Sequence, residues 1–436
     1  MTGFTSARSE WAAAPPRDAQ GTGERLAFGL AVVFLLIYSQ GWVAPLSGDE
    51  TNAAVSGIIR ALYYPAYAAG LWVMLGAWKQ TARVVWKAPL LIGLLLLAAA
   101  SVTWSVDSAT TSRRVVALTL TTLCGVALAA RFDWRRIAQT LAVTFAVLAV
   151  GSLIVCVAVP DIGRMSSTFP GAWRGLWFEK NALGGNMAIA FCIFGATAAL
   201  DPKRRWTWGA FAGLALALVL ASTSKTSLVA LILGAAALAF VGLARRGPAA
   251  GVILVWLGVV VVGLVACVFL FAADWVFDTL GKDATLTGRT KIWAGIARVV
   301  KERPTLGWGY GAIWDNEGPW GPLAKITDTA GFRARHAHSS WWEMLLNLGR
   351  VGLVLWALYF VETVIRALVS VFTSRGAWLV LPFLVVYGLS SLTESVTLTW
   401  NDLRWVMFVA LAVKLALGER AQEAAATGLR ASSARP

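Results

Sequence analysis

The chain has 436 residues, of which 58% are hydrophobic and 14% charged, and its formal net charge is +15. That balance excludes a soluble globular domain and suits an α-helical protein that crosses a membrane about a dozen times, at ~20 residues per crossing. Continuous apolar runs such as 88–100 and 252–272 exclude a β-barrel, whose strands alternate. Short basic breaks between the runs account for the positive charge without a nucleic-acid partner.

The chain opens on a polar segment, 1–25, with Arg8, Arg17 and Arg25, which reads as cytoplasmic. The first apolar run, Leu26 to Leu46, reads as an uncleaved helix, since no small-residue cleavage site follows it. Basic breaks then fall at Lys79/Arg83/Lys87, Arg131/Arg135/Arg136, Lys203/Arg204/Arg205, Arg245/Arg246 and Arg366/Arg375. They alternate with breaks that hold Asp49/Glu50, Asp107, Asp161 to Lys180, Ser222 to Thr226, residues 274–340, and Glu394 to Asp402. Under the positive-inside rule this predicts about twelve spans with both termini cytoplasmic. The spans fill 26–273 and 342–417, a large periplasmic loop occupies 274–341, and a cytoplasmic tail, 418–436, reads as disordered. The predicted fold class is therefore an all-α polytopic membrane protein with one large outside loop. Cys124, Cys156, Cys192 and Cys267 all lie in apolar runs and read as small hydrophobes.

Two outside segments defy the rule that keeps arginine in the cytoplasm. The segment 161–180 holds Arg164, Arg174 and Lys180, and the large loop holds Arg289, Lys291, Arg298, Lys301, Arg303, Lys325, Arg333 and Arg335. Arginine stays charged and donates two parallel hydrogen bonds, which suits a phosphate. The competing reading is an ordinary solvated loop whose cations pair with Glu302, Asp315, Asp328 and their neighbours. Both histidines of the chain, His336 and His338, sit at the end of the same loop, ahead of a helix expected from Trp341 with Ser339 and Ser340 as caps. A neutral imidazole is a common proton acceptor in enzymes. A local hydrogen-bonding role at the helix start stands beside that reading. A metal pair is disfavoured, since no third histidine, cysteine or HExxH spacing accompanies them.

Further patterns complete the picture. Gly307-Trp308-Gly309-Tyr310-Gly311 has no strand before it, which disfavours a dinucleotide site and favours a tight turn that brings backbone close to a ligand or a helix. Trp173 to Asn181 forms a polar knot ahead of the glycine-rich Ala182 to Asn186, and Ser222 to Ser227 is a short outward turn with Lys225 as an anion contact or a structural residue. Glu343, Glu394, Asp402 and Arg404 fall near the outer surface, where they line the same pocket or pair with one another, Glu394 with Arg404.

The run Gly288-Arg289, Trp293, Arg303-Pro304, Gly307-x-Gly309-Tyr310-Gly311, His336-Ala337-His338-Ser339 and Leu345-Leu346-x-x-Gly349-x-x-Gly352-Leu353 resembles the signature region of the O-antigen ligase and Wzy-type polysaccharide polymerase superfamily. The Arg174 to Gly184 knot and the Ser222 to Ser227 turn are similar to two other recurring patches of that family, in the same order. The resemblance implies a GT-C-like glycosyltransferase in the bacterial inner membrane that acts at the periplasmic face. Its donor would be an undecaprenyl-diphosphate-linked oligosaccharide. Its acceptor would be another glycan repeat unit or the lipid A core, with membrane lipids around it. It further implies His338 as the base that activates the acceptor hydroxyl, and Arg289 and Arg174, then Arg303, as the cations on the diphosphate. Lys180, Lys225, His336 and Tyr310 are further candidates for the pocket.

The chemistry stands without the family. Transfer from a lipid diphosphate needs cations for the leaving group and a base for the attacking hydroxyl. The expectation is a metal-independent, inverting transfer with no cofactor. Within the resembled family, the segment Trp177 to Gly184 is more like the exopolysaccharide-polymerase branch than the ligases, which implies a polymerase over a ligase. A secondary transporter is the reading from another class, but it calls for repeated halves and polar groups at the bilayer midplane, whereas this chain concentrates its polar residues in one loop.

Overall fold

The computed structural model describes residues 22–47, 53–166, 169–247, 249–253, 288–316 and 318–418. The described residues form helices with short connections and no β-strand beyond one isolated bridge, Arg164 to Trp173. In chain order the main helices are α1 (Thr22–Tyr38), α2 (Tyr63–Leu75), α3 (Trp78–Lys87), α4 (Pro89–Ala100), α5 (Ser108–Arg131), α6 (Trp134–Ala158) and α7 (Lys180–Leu200). They continue with α8 (Arg205–Ala221), α9 (Lys225–Ala244), α10 (Arg289–Glu302), α11 (Pro322–Ala330), α12 (Ser340–Thr373), α13 (Ala377–Thr393) and α14 (Leu403–Leu417).

Six of the described helical segments are long and apolar enough to cross a membrane: Gly57–Leu75, Ser108–Arg131, Trp134–Ala158, Lys180–Leu200, Lys225–Ala244 and Ser340–Thr373. The pair Trp78–Lys87 and Pro89–Thr103, bent by 85°, makes up to a seventh. The chain is thus a polytopic membrane protein. The predicted spans at 26–46, 206–220, 377–392 and 405–417 coincide with helices of 17, 17, 17 and 15 residues. The predicted span at 251–273 lies almost wholly outside the described residues, as do the polar tails.

Helices begin where the breaks supply a cap. Asp107 Oδ1 accepts the Thr110 N–H at 2.9 Å, Asp133 accepts that of Arg136 at 2.7 Å, and Asp402 accepts that of Arg404 at 2.7 Å. Between apolar helices in a membrane, close packing replaces the hydrophobic drive of water. Gly125 of α5 shows this: a Cβ there would come within 2.7 Å of the Val406 carbonyl of α14. An aromatic cluster joins α12, α13 and α14, with Phe408 set 5.1 Å from Trp356 and 5.0 Å from Tyr387 between ring centroids. Each such pair contributes ~0.5–1.5 kcal/mol beyond its area.

The described part of the polar excursion is itself folded. Helices α10 and α11 pack on one another around Ile292, Ile296, Val299, Leu323 and Ile326, all buried, with Trp308, Ile313 and Leu346 in the same cluster. The glycine-rich turn at 307–311 docks against a helix through Trp308 and Gly309, while Tyr310 and Gly311 of the same turn line a cavity. Helix α12 breaks at Gly349, whose φ of 63° and ψ of −161° fall in a region essentially open only to glycine. The exposed backbone groups at this break are satisfied reciprocally. Trp308 and Gly309 donate to the carbonyls of Leu346 and Asn347, both at 3.0 Å, while Arg350 and Val351 donate to those of Pro304 and Thr305. The contact leaves no room for side chains, since a Cβ on Gly307 would lie 2.7 Å from the Asn347 carbonyl oxygen.

Candidate active site

The break in α12 fixes where its first turns point, and those turns carry the polar centre of the molecule. Ser340 Oγ donates to the Glu394 carbonyl and accepts the N–H groups of Val396 and Thr397, which ties α12 to the segment after α13. Ser339 is the N-cap residue, but its side chain makes no capping bond, so Ser340 secures this helix start by a different route from the cap expected. Glu343, one turn on, is a hub. Its carboxylate accepts from Ala337 N at 2.9 Å, Trp314 Nε1 at 3.0 Å, Ser395 Oγ at 3.2 Å and Asn347 Nδ2 at 3.4 Å. One side chain thereby holds the histidine loop, the turn around Trp314, and the segment after α13.

His338 has a φ of +51°, left-handed backbone that a side chain tolerates only when its surroundings enforce it. Among the described residues its enclosed Nδ1 makes no hydrogen bond, and the charged group facing it is Glu394 Oε2 at 3.4 Å. A carboxylate only accepts, so this neighbour favours a proton on Nδ1 and a lone pair on Nε2. The other carboxylate oxygen of Glu394 accepts from Arg289 Nη2 at 3.0 Å. Burial raises the Glu394 carboxyl, but the neighbouring His338 and the Arg289 charge outweigh it and hold the group below the usual range. Glu394 therefore stays ionised between a histidine and an arginine.

His336 packs against His338 with ring centroids 3.8 Å apart and planes tilted by 48°, and its Nδ1 accepts the His338 backbone N–H at 3.2 Å. Burial and the neighbouring His338 push its pKa down to about 4.

His336, Glu394 and Arg289 border a cavity of about 520 Å³, within the range of small-molecule sites, whereas His338 sits behind them and is not among its lining residues. Arg289, Arg335 and His336 line it from the polar segment 288–339, with Glu343 of α12 beside them. Facing them are the first turns of α7 (Asn181, Asn186), α9 (Ser224, Ser227) and α14 (Asp402, Arg404). Helix N-termini carry partial positive charge, and several of them aimed at one space make it receptive to an anion. Ser224 Oγ donates to Asn181 Oδ1 at 2.8 Å, so the polar knot and the serine turn meet on one wall. Tyr310 closes the floor, buried, with its hydroxyl donating to the Leu398 carbonyl at 2.5 Å; burial raises its pKa well above the usual value.

The other residues singled out from the sequence lie apart from this lining. Arg174 donates through Nε to the Ile162 carbonyl at 2.8 Å and through Nη2 to that of Asp161 at 3.1 Å, clamping the loop that leads into α7. Arg303 donates to the Trp104 carbonyl at 3.0 Å and stacks over Trp308. Lys180 reaches Thr223 Oγ1 at 3.3 Å and sits 3.5 Å from the Phe169 ring centroid, and Lys225 opens α9 outside the lining. Glu394 pairs with Arg289 rather than with Arg404, because Asp402, two residues from Arg404 and 2.7 Å from its Nη2, takes that arginine. Lys325 pairs with Glu302, so part of the loop does follow the solvated-loop reading.

One lining residue, Arg114, escaped the sequence reading, and Asp315, read there as a partner for the loop cations, pairs with it. Arg114 lies inside α5, at what reads as the start of an apolar span, and it bonds the Gly311 carbonyl and the Asp315 carboxylate across the cavity rim. The available signal was an arginine on the outer side of a span, the same breach of the orienting rule that marks the loop cations.

His336, His338 and Glu394 each bring one ligand atom within 4.8 Å of the others. A metal bound at His336 Nε2 would put the imidazole proton on Nδ1, against the His338 N–H that Nδ1 accepts. Binding at Nδ1 would displace that bond outright. Arg289 moreover occupies the carboxylate that would supply the third ligand. The set fits a hydrogen-bonded acid–base centre better than a resident metal.

Comparison with known proteins gives concordant results. Residues 210–357 match the family model described as O-Antigen ligase. The chain is 32% identical over 195 residues to the exopolysaccharide production protein ExoQ of Rhizobium meliloti (strain 1021). That match covers 42% of this chain and 43% of the relative, so the chain spans less than half the length of the protein it matches.

Proposed function

We propose, from the match of residues 210–357 to the O-Antigen ligase model and the similarity to ExoQ, that the chain is a member of the O-antigen ligase and Wzy-type polymerase superfamily and transfers an undecaprenyl-diphosphate-linked glycan onto a sugar hydroxyl. The observation that carries the reading is the convergence of His338 and Arg289 on the one carboxylate of Glu394 beside an anion-receptive cavity. A base and a cation held by a shared acid are the two parts this transfer needs.

In the proposed reaction the acceptor hydroxyl reaches the exposed quarter of His338, whose side chain is 27% accessible. Its oxygen bonds to the anomeric carbon from the face opposite the diphosphate, and its proton passes to Nε2 of His338. The bond from the anomeric carbon to the diphosphate oxygen breaks, and that oxygen leaves with the electron pair toward Arg289. The anomeric configuration inverts. Glu394 holds the Nδ1 proton in place and stabilises the imidazolium that forms. Such a positioned base contributes ~10²–10⁴-fold. Arg174, bonded to neutral carbonyls and still charged, adds positive potential at longer range, and Arg303 supports the turn that carries Trp308.

The acceptor we favour is another repeat unit, which makes the protein a polymerase. The similarity to a protein of exopolysaccharide production supports this over ligation to a lipid A core. The proposed setting is the inner membrane, with about twelve spans and the cavity on the periplasmic side, and this orientation explains why arginines were kept outside. The test is purified protein in lipid, supplied with a synthetic lipid-diphosphate-linked repeat unit. A ladder of lengthened products supports polymerisation. Single transfer, seen only when a lipid A core acceptor is added, assigns ligation instead, and no transfer to either acceptor removes the reading.

A further inference from the structure

Only one of the two adjacent histidines can act as a base, and the hydrogen bonds decide which. His336 Nδ1 accepts the His338 backbone N–H at 3.2 Å, so its lone pair is engaged there. A neutral imidazole carries one proton, which must then be on Nε2. His336 lines the cavity, so the group it can offer there is an N–H donor with no lone pair to take a proton. The surroundings reinforce this state. Protonating His336 would set a positive ring in a largely buried setting 3.8 Å from His338 and close to the arginines at 289 and 404, which together outweigh the opposing charge of Glu394. The sequence reading left His336 as one of several pocket candidates, whereas the geometry gives it a defined polarity.

We propose that His336 is a second catalytic residue, a fixed neutral donor whose Nε2–H holds a phosphoryl oxygen of the departing lipid diphosphate beside Arg289. This rests on the glycosyl-transfer reading above and divides the labour between the two rings. His338 receives the proton of the acceptor hydroxyl, and His336 steadies the oxygen that gains charge as the bond to the sugar breaks. A donor locked in its neutral form does not compete with the base, and it loses no proton to the leaving group. An imidazole used this way strengthens its hydrogen bond as charge develops, so its contribution falls on kcat more than on KM.

The experiment compares His336→Ala, His336→Gln and His338→Ala in the purified, lipid-embedded protein with a lipid-diphosphate-linked donor, alongside inhibition by farnesyl diphosphate as a probe of the leaving-group site. Thermal unfolding of each variant is measured to separate misfolding from lost function. Loss of about 10–100-fold in kcat for His336→Ala, weaker farnesyl diphosphate inhibition, and recovery to within a few-fold in His336→Gln, whose amide N–H replaces the donor, support the proposal. An unchanged acid limb of the kcat profile in His336→Gln supports it further, because the base is elsewhere. Wild-type kcat in a folded His336→Ala, with His338→Ala inactive, overturns the proposal and leaves the transfer reading standing. An acid limb lost in His336→Gln overturns it by making His336 the base. Full activity of His338→Ala overturns the assignment of His338 as the base, and absence of transfer by the wild-type protein overturns the transfer reading itself.

Discussion

His338 Nδ1 and Glu394 Oε2 face one another at 3.4 Å, and among the described residues no hydrogen-bond partner reaches that enclosed nitrogen. The pair spans 56 positions of the chain and joins the end of the polar segment 288–339 to the segment between α13 and α14. Its consequence is a preferred tautomer, with the lone pair on Nε2. Glu394→Gln can face the ring with either amide group, so that preference is lost. Transfer should fall about 10–100-fold, with membrane protein level retained, as measured by product formation per mole of protein. Activity within twofold of wild type would deny Glu394 this role.

Arg289 donates to the same carboxylate at 3.0 Å while lining the cavity. Its fork can serve Glu394 and an anion at once, whereas an ammonium is a single point charge. Arg289→Lys is therefore expected to raise the KM for the lipid-diphosphate donor and to lower kcat, each by about tenfold. Steady-state kinetics with a synthetic donor give both values, and an unchanged KM would assign Arg289 to structure alone.

Gly349 occupies backbone that only glycine enters readily, and a Cβ there would overlap the Thr305 carbonyl. Gly349→Ala combines that clash with a conformational cost of ~1–3 kcal/mol and separates the glycine turn from the break in α12. Detergent-solubilised protein should unfold at a clearly lower temperature, and its membrane level should drop. Normal stability would show that the reciprocal hydrogen bonds at this break are dispensable.

His336 gives the site a pH dependence whose sign follows from its depressed pKa of about 4. Between that value and ~6.5, where an unfolded histidine titrates, the unfolded chain binds the extra proton and the folded one does not. Stability from this group is therefore full above ~6.5 and declines as pH falls toward 4. Unfolding temperatures measured from pH 7.5 to 4.5 should fall, and the slope should flatten in His336→Gln. An equal slope in both proteins would assign the acid sensitivity to other groups.

Much of this was legible in the sequence, for reasons that differ by element. The apolar runs announce themselves, because a bilayer accepts nothing else at that length, and the helices at 108–131, 134–158 and 225–244 fall where the runs do. Arginines against the orienting rule marked the polar segment, and Arg289 among them reaches the cavity. The rule could not say which arginines face inward, since Arg174 and Arg303 spend their hydrogen bonds on backbone carbonyls nearby. Pairing across long separations was hidden as well. Glu394 looked as ready to pair with Arg404 as with anything, and only the cap at Asp402 explains why it is left for Arg289 and His338. The proton on His336 was beyond sequence reasoning, because it depends on one backbone N–H two residues away.

The most direct test of the central claim is the size distribution of surface and carrier-linked glycan in a strain whose only copy of this protein carries His338→Ala, with membrane abundance of the protein measured beside it. The account predicts normal abundance, loss of long-chain polysaccharide, and single repeat units accumulating on the lipid carrier. Long-chain polysaccharide at wild-type level, from a strain that makes the variant in normal amount, would contradict the assignment of His338 as the base of a glycosyl transfer.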